Sequence, residues 1–144
     1  MQLINITTKG AYAILQLDHG KANTINRQMV DEIRTAFANF SKDDAIKGVI
    51  MTGKPHFFSA GLDVVELYQY DEAQMNEFLV AFGSMHIEMA RFSKPFVCAI
   101  TGHSPAGGLV MAITSDHRVM ADGEKYTIGL NEVAVNIQIS QNLV

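Results

Sequence analysis

The chain has 144 residues, 48% of them hydrophobic and 18% charged, with 11 basic against 15 acidic side chains and a formal charge of −4. Abundant Val, Ile, Leu and Phe exclude a disordered chain, and the absence of any Lys/Arg cluster excludes a nucleic-acid partner. No apolar run reaches the roughly 20 residues that cross a bilayer, the start Met1-Gln2-Leu3-Ile4-Asn5 lacks a secretory signal, and the single Cys98 allows no internal disulfide, so the expectation is a cytoplasmic domain without membrane contact.

Alternating apolar residues in Leu3–Thr7 and Tyr12–Leu17, separated by Lys9-Gly10, predict an antiparallel hairpin. Asn26 is placed to cap a helix in which Val30, Ile33, Phe37 and Phe40 recur at three- and four-residue steps, ending near Lys42. Gly48–Gly53 reads as a strand covered on both faces, followed by an irregular stretch from Lys54 to Asp63. From Asp71 to Phe92, a stripe of Met75, Phe78, Leu79, Phe82, Met85, Met89 and Phe92 predicts a second helix whose apolar side is core. Lys94-Pro95 stops it, and Phe96–Ile100 follows as another buried strand containing Cys98. A small-residue turn over Gly102–Gly108 leads into an apolar helix, Leu109–Ile113. Two further strands, Asp116–Ala121 and Lys125–Ile128, are expected with Asp122-Gly123 as the turn between them. The order is that of an α/β protein with repeated crossovers. The chain stops at Val144 within an apolar segment, which is expected of a fragment of a larger domain.

Two loops qualify as carriers of chemistry: Phe58-Ser59-Ala60-Gly61-Leu62-Asp63 and Gly102-His103-Ser104-Pro105-Ala106-Gly107-Gly108. Each follows a predicted strand and lets backbone N–H groups approach a ligand. Tight turns explain such glycines equally well. If the N–H groups of Leu62 and Gly107 converge, they form two donors to one oxygen, an oxyanion hole. A serine nucleophile at Ser104 is weighed too, since Gly102-His103-Ser104-Pro105-Ala106 resembles a nucleophile elbow. Pro105 has no N–H to serve as its oxyanion donor, however, and His117 directly follows Asp116, which points the two side chains to opposite faces of a strand. Phosphate-loop and dinucleotide-binding glycine patterns are absent, and the five histidines lack metal-ligand spacing, so no metal is expected. Among the carboxylates, Glu132 stands out just after a strand, where a loop projects it either into a site or into solvent.

The two loops, together with Ile128-Gly129-Leu130-Asn131-Glu132, resemble the enoyl-CoA hydratase/isomerase (crotonase) superfamily, in register over nearly the whole chain. Lys21-Ala22-Asn23-Thr24 is similar to that family's first CoA-contacting segment. The resemblance implies the N-terminal portion of a crotonase-like spiral of ββα units, with residues 1–144 as part of an acyl-CoA-binding domain whose C-terminal helices are absent. It implies Leu62 and Gly107 as oxyanion donors, and acyl-CoA contacts around Lys21, Ala22, Ala60, Gly61, Asp63 and Val110. Coenzyme A enters only as part of the substrate, with no separate cofactor, and a homotrimer or hexamer is implied for the complete protein. Of the two glutamates used by the family's hydratases, one position is Val110 here and the other is Glu132. A single base suits double-bond migration rather than hydration. The Pro105-Ala106-Gly107-Gly108 and Gly129-Leu130-Asn131-Glu132 stretches likewise resemble the 3,2-trans-enoyl-CoA isomerase branch. Glu132 is then expected to move the proton, its pKa raised by an apolar pocket that includes Val110. The alternatives are a hydratase or other acyl-CoA enzyme of this type, or a non-catalytic binding module.

Overall fold

The computed structural model describes residues 2–130 of the chain. A hairpin of β1 (Ile4–Lys9) and β2 (Tyr12–Leu17) opens it and leads to α1 (Arg27–Lys42) and then β3 (Gly48–Thr52) and β4 (His56–Phe57). A short α2 (Val64–Leu67) and the long α3 (Glu72–Ala90) precede β5 (Phe96–Ile100) and β6 (Gly102–Pro105). Last come α4 (Gly107–Ile113), β7 (His117–Met120) and β8 (Ile128–Gly129).

The strands divide between a five-stranded sheet, β1-β2-β3-β5-β7, and a three-stranded sheet, β4-β6-β8. After the antiparallel hairpin every pairing is parallel. On each circuit the chain therefore leaves a strand in the larger sheet, enters one in the smaller sheet, and returns through a helix where one intervenes. This alternation is the ββα spiral anticipated above.

The helices form for the reasons the sequence suggests. The Asn26 side chain accepts the Met29 N–H (2.9 Å) at the start of α1, and Asp71 and Gln74 form a reciprocal capping box on α3. Val30, Ile33, Phe37 and Phe40 of α1 are buried, and Phe37 meets Phe92 and Phe96 edge-on at 5.1 and 5.0 Å. A forked ion pair from Arg34 to Glu88 (2.7 Å) ties α1 to α3 at the surface. On α3 the buried positions are Phe78, Ala81, Met85 and Met89, whereas Leu79 of the expected stripe is half exposed.

Several elements differ from expectation. The irregular stretch contains β4, and α2 follows it unannounced. Strand β6 occupies most of the second glycine-rich turn, and α4 begins two residues early, at Gly107. Finally, β7 and β8 form no hairpin: the N–H groups of Ser104 on β6 and of Ala106 just beyond it capture the carbonyls of Thr127 and Gly129 (both 2.8 Å), drawing β8 into the smaller sheet. Among the described residues no helix is long and apolar enough to cross a membrane.

Candidate active site

The loops that follow β4 and β6 leave neighbouring parallel strands on the same side, and they touch. Gly61 has φ +91°, and a Cβ placed on it would lie 3.3 Å from both the Gly107 nitrogen and the Ala106 Cβ. Only glycine combines that backbone angle with that approach. Across the first loop, Ala60 N–H donates to Ala22 O (2.9 Å), Gly61 N–H to Ser59 Oγ (3.2 Å), Asp63 N–H to Ile25 O (2.9 Å) and Val64 N–H to Leu62 O (3.0 Å). Ile25 bridges Leu62 in parallel, giving its own N–H to Gly61 O (2.8 Å). In such a bridge the central residue's N–H points away from its partner strand, and that of Leu62 donates to no other described residue. Nor does the N–H of the buried Gly107, in the first turn of α4. Ala106, immediately before it, sits at φ +46°, and its strain is held by bonds at either side, its N–H on Gly129 O and its carbonyl on Val110 N–H (3.0 Å). The structure thus brings Gly61, Leu62 and Gly107 into one place, with two backbone donors lacking acceptors among the described residues.

The segment beneath is fixed by a residue to which the sequence reading gave no role. Asn23 is fully buried at φ +50°, gives its amide to the Phe58 carbonyl (3.0 Å) and accepts the His19 N–H (2.9 Å). Its own carbonyl receives the Ser59 hydroxyl (2.7 Å). The available signal was the residue type, since Asn tolerates this conformation. Asp63 caps α2 through Glu66 N–H (3.1 Å) and accepts the Thr24 hydroxyl (2.8 Å). Burial raises its carboxyl, but the Thr24 hydroxyl, the Glu66 N–H, the nearby His19 and the Val65 N–H outweigh that and hold it below the ordinary value. Ala22 and Ala60 lie together, while Lys21 is exposed on the adjoining turn.

Val110 is partly buried on α4, one turn after Gly107. A Cβ on Gly107 would meet Ile25 Cδ1 at 3.2 Å and Phe82 Cζ at 3.6 Å, so these two apolar side chains wall the start of α4; the spacing of α3 marked Phe82 as core only. Ser104 is wholly buried, with no partner for its hydroxyl among the described residues, and Asp116 spends a carboxylate oxygen on the Phe96 N–H (2.8 Å), so no serine triad exists around it. Glu132 lies outside the described residues. No group of three or more His, Cys, Asp or Glu among the described residues is arranged to hold a metal.

The parallel ββα spiral is a crotonase-like α/β fold. Residues 7–138 match the enoyl-CoA hydratase/isomerase family, and the chain belongs to it. It is 35% identical over 136 residues to the mitochondrial enoyl-CoA delta isomerase 1 of Rattus norvegicus, covering 94% of this chain and 47% of that protein. It is 31% identical over 129 residues to the fatty acid oxidation complex subunit alpha of Vibrio campbellii, covering 88% of this chain and 18% of that one. The crystal structure of human mitochondrial delta3-delta2-enoyl-CoA isomerase superimposes with a TM-score of 0.94 at 28% identity, over 99% of this chain and 56% of that one. The chain spans about half the length of the isomerases it matches.

Proposed function

We propose that this chain is the N-terminal part of an acyl-CoA isomerase that shifts the double bond of a 3-enoyl-CoA to the 2-position. The observation that carries the reading is the pair of N–H groups, Leu62 and the buried Gly107, that find no acceptor among the described residues, on loops in contact through Gly61. An unpaired buried N–H costs free energy unless an acceptor arrives, and a thioester carbonyl that becomes an enolate oxygen is the acceptor such a pair stabilises. Similarity to enoyl-CoA isomerases supports the choice of substrate.

The step uses one base. The carboxylate of Glu132 takes a proton from C2, and the C–H electron pair delocalises onto the thioester oxygen to give a dienolate held by the two N–H groups. The same carboxyl group returns the proton at C4, leaving the double bond between C2 and C3. No second carboxylate is supplied by α4, where Val110 stands. Lys21, Ala22, Ala60, Gly61 and Asp63 contact the CoA portion in this scheme, and no other cofactor takes part. Trimeric or hexameric assembly belongs to the complete protein, and the cytoplasm is its compartment.

The test is incubation of the chain with 3-enoyl-CoA and, separately, 2-enoyl-CoA, following double-bond position and water addition by NMR and mass spectrometry. Migration without hydration, lost in Glu132→Gln, supports the isomerase. Hydration points to the two-acid chemistry instead, and saturable binding without turnover of either substrate makes the chain a binding module.

A further inference from the structure

The smaller sheet carries a cluster of rings with no part in the site above. His56 on β4 and His103 on β6 both reach the segment 124–130 that runs into β8. Nδ1 of His56 lies 2.8 Å from the Tyr126 hydroxyl. Nδ1 of His103 accepts the Thr127 N–H (3.2 Å) and lies 3.0 Å from the Thr127 hydroxyl. The His103 ring is flanked by Phe57 and Tyr126, with centroids at 5.1 and 5.4 Å. From this strap the carbonyls of Thr127 and Gly129 accept the N–H groups of Ser104 and Ala106. The strap thus lies along the strand that ends at the glycine loop, and Leu130 stands two residues before Glu132 in the sequence.

The two histidines are not equivalent. A phenol donates to a neutral imidazole and accepts from a protonated one, so the His56–Tyr126 contact survives a change of charge. A backbone N–H only donates. The Thr127 N–H bond therefore requires a bare Nδ1 on His103, and a proton there sets two donors against each other. The charged groups nearest in the sequence and sheet are Glu124 and Lys125 on the strap, Asp122 just before it, His56 on β4, and Lys54, which is engaged with Asp18 at 2.6 Å. None forms an ion pair with either imidazole among the described residues, so a protonated ring has the Thr127 hydroxyl (3.0 Å) as its acceptor while the Thr127 N–H loses its own.

We propose that His103 is a positioning residue whose unprotonated Nδ1 holds the 124–130 strap on β6, and that protonation of this ring releases the strap. The release of the strap does not depend on the assignment of Glu132 as the base.

The experiment is amide hydrogen exchange by NMR on the full chain at about pH 8 and about pH 5. Protection factors of the Thr127, Ser104 and Ala106 amides are referred to that of Val49, whose N–H donates to Pro95 O in the larger sheet (2.8 Å). In the native protein the three should lose about tenfold in relative protection at acid pH, the ratio that one net hydrogen bond supplies. In His103→Asn, whose amide oxygen replaces Nδ1 as acceptor, they should stay level. Equal protection at both pH values in the native protein, or the same loss in His103→Asn, overturns the proposal. Should that variant fail to protect Val49, Thr127→Val decides. It removes the hydroxyl able to accept from the protonated ring, so its acid loss must exceed that of the native protein, and an equal or smaller loss overturns the idea. Because no acyl-CoA is present, failure here is separate from failure of the isomerase reading, which the substrate assay judges.

Discussion

Two adjacent glycines open α4, and replacing each with alanine separates local propensity from packing. Propensity alone favours both changes, since alanine is better than glycine inside a helix by about 1 kcal/mol, and less in the first turn of a short one. The surroundings divide them. A Cβ on Gly107 would meet Ile25 Cδ1 at 3.2 Å, the free end of a side chain that yields by a small rotation. A Cβ on Gly108 would overlap the Ser59 carbonyl oxygen and lie 3.1 Å from Ser104 Oγ and 3.2 Å from the Ser59 carbonyl carbon. Backbone there is held by the Ser59 and Asn23 bonds, so α4 or the loop must move by several tenths of an ångström. Overpacking of this kind costs about 1–3 kcal/mol. After the propensity gain, Gly108→Ala should be less stable by about 1–2 kcal/mol, and Gly107→Ala within about 0.5 kcal/mol of the native chain. For a chain of this size the former lowers Tm by roughly 3–8 °C. Urea and thermal unfolding followed by circular dichroism measure both. A Gly108→Ala variant as stable as Gly107→Ala would show that the contact between the two loops is not tight.

Ser104→Ala removes a buried hydroxyl without a partner among the described residues and should leave stability unchanged or raise it by up to about 1 kcal/mol; a urea midpoint shifted down by more than that amount contradicts the packing. Asn23→Ala breaks two hydrogen bonds of a buried side chain, to Phe58 O and from His19 N–H, and should cost about 2–4 kcal/mol in the same assay, a loss below 1 kcal/mol being incompatible with its clamping role. Burial holds the His86 imidazole below its ordinary titration despite the bond from its ring to Phe82 O (2.7 Å). The unfolded chain therefore takes up this proton first as pH falls, so the histidine's contribution is complete above the unfolded value of about 6.5 and is lost on acidification below it. Comparing urea midpoints at about pH 7.5 and about pH 5.5, His86→Phe should flatten the decline seen in the native chain; an unaltered decline would assign it to other groups.

The two long helices, α1 and α3, and the larger sheet were legible because their signals are local. Asn26 and Asp71 cap where their side chains dictate, and the period of Val30, Ile33, Phe37 and Phe40 matches what α1 buries. The two loops of the site were also legible as small-residue runs after strands. What sequence alone could not supply is pairing across long separations. His56–Phe57 is too short to show a period, yet it becomes β4 because Gly102-His103 lies beside it in parallel. Thr127–Gly129 likewise joins β6 rather than folding back on β7, a choice made by N–H groups more than twenty residues away. Leu79 fits the helical stripe by spacing, but α3 buries Ala81 and leaves Leu79 half exposed.

This same long-range pairing makes the candidate site a property of backbone register rather than of side chains. Strands β4 and β6 are adjacent and parallel, so their following loops leave the sheet at one end, separated by about one strand spacing, near 4.8 Å. That spacing suits two N–H groups sharing a single oxygen, one from each loop. Under the proposed function, the Leu62 side chain is then dispensable while its N–H is not. Leu62→Ala should keep turnover of 3-enoyl-CoA within about threefold of the native value, whereas Leu62→Pro, which removes an N–H that no described residue accepts and also fixes φ there, should lower kcat by about 10²–10³. Circular dichroism and a thermal melt establish that each variant is folded before its rate is compared. A folded Leu62→Pro protein with near-native kcat would remove Leu62 from the oxyanion hole, and a large loss in Leu62→Ala would mean that the side chain, not the backbone, shapes the pocket.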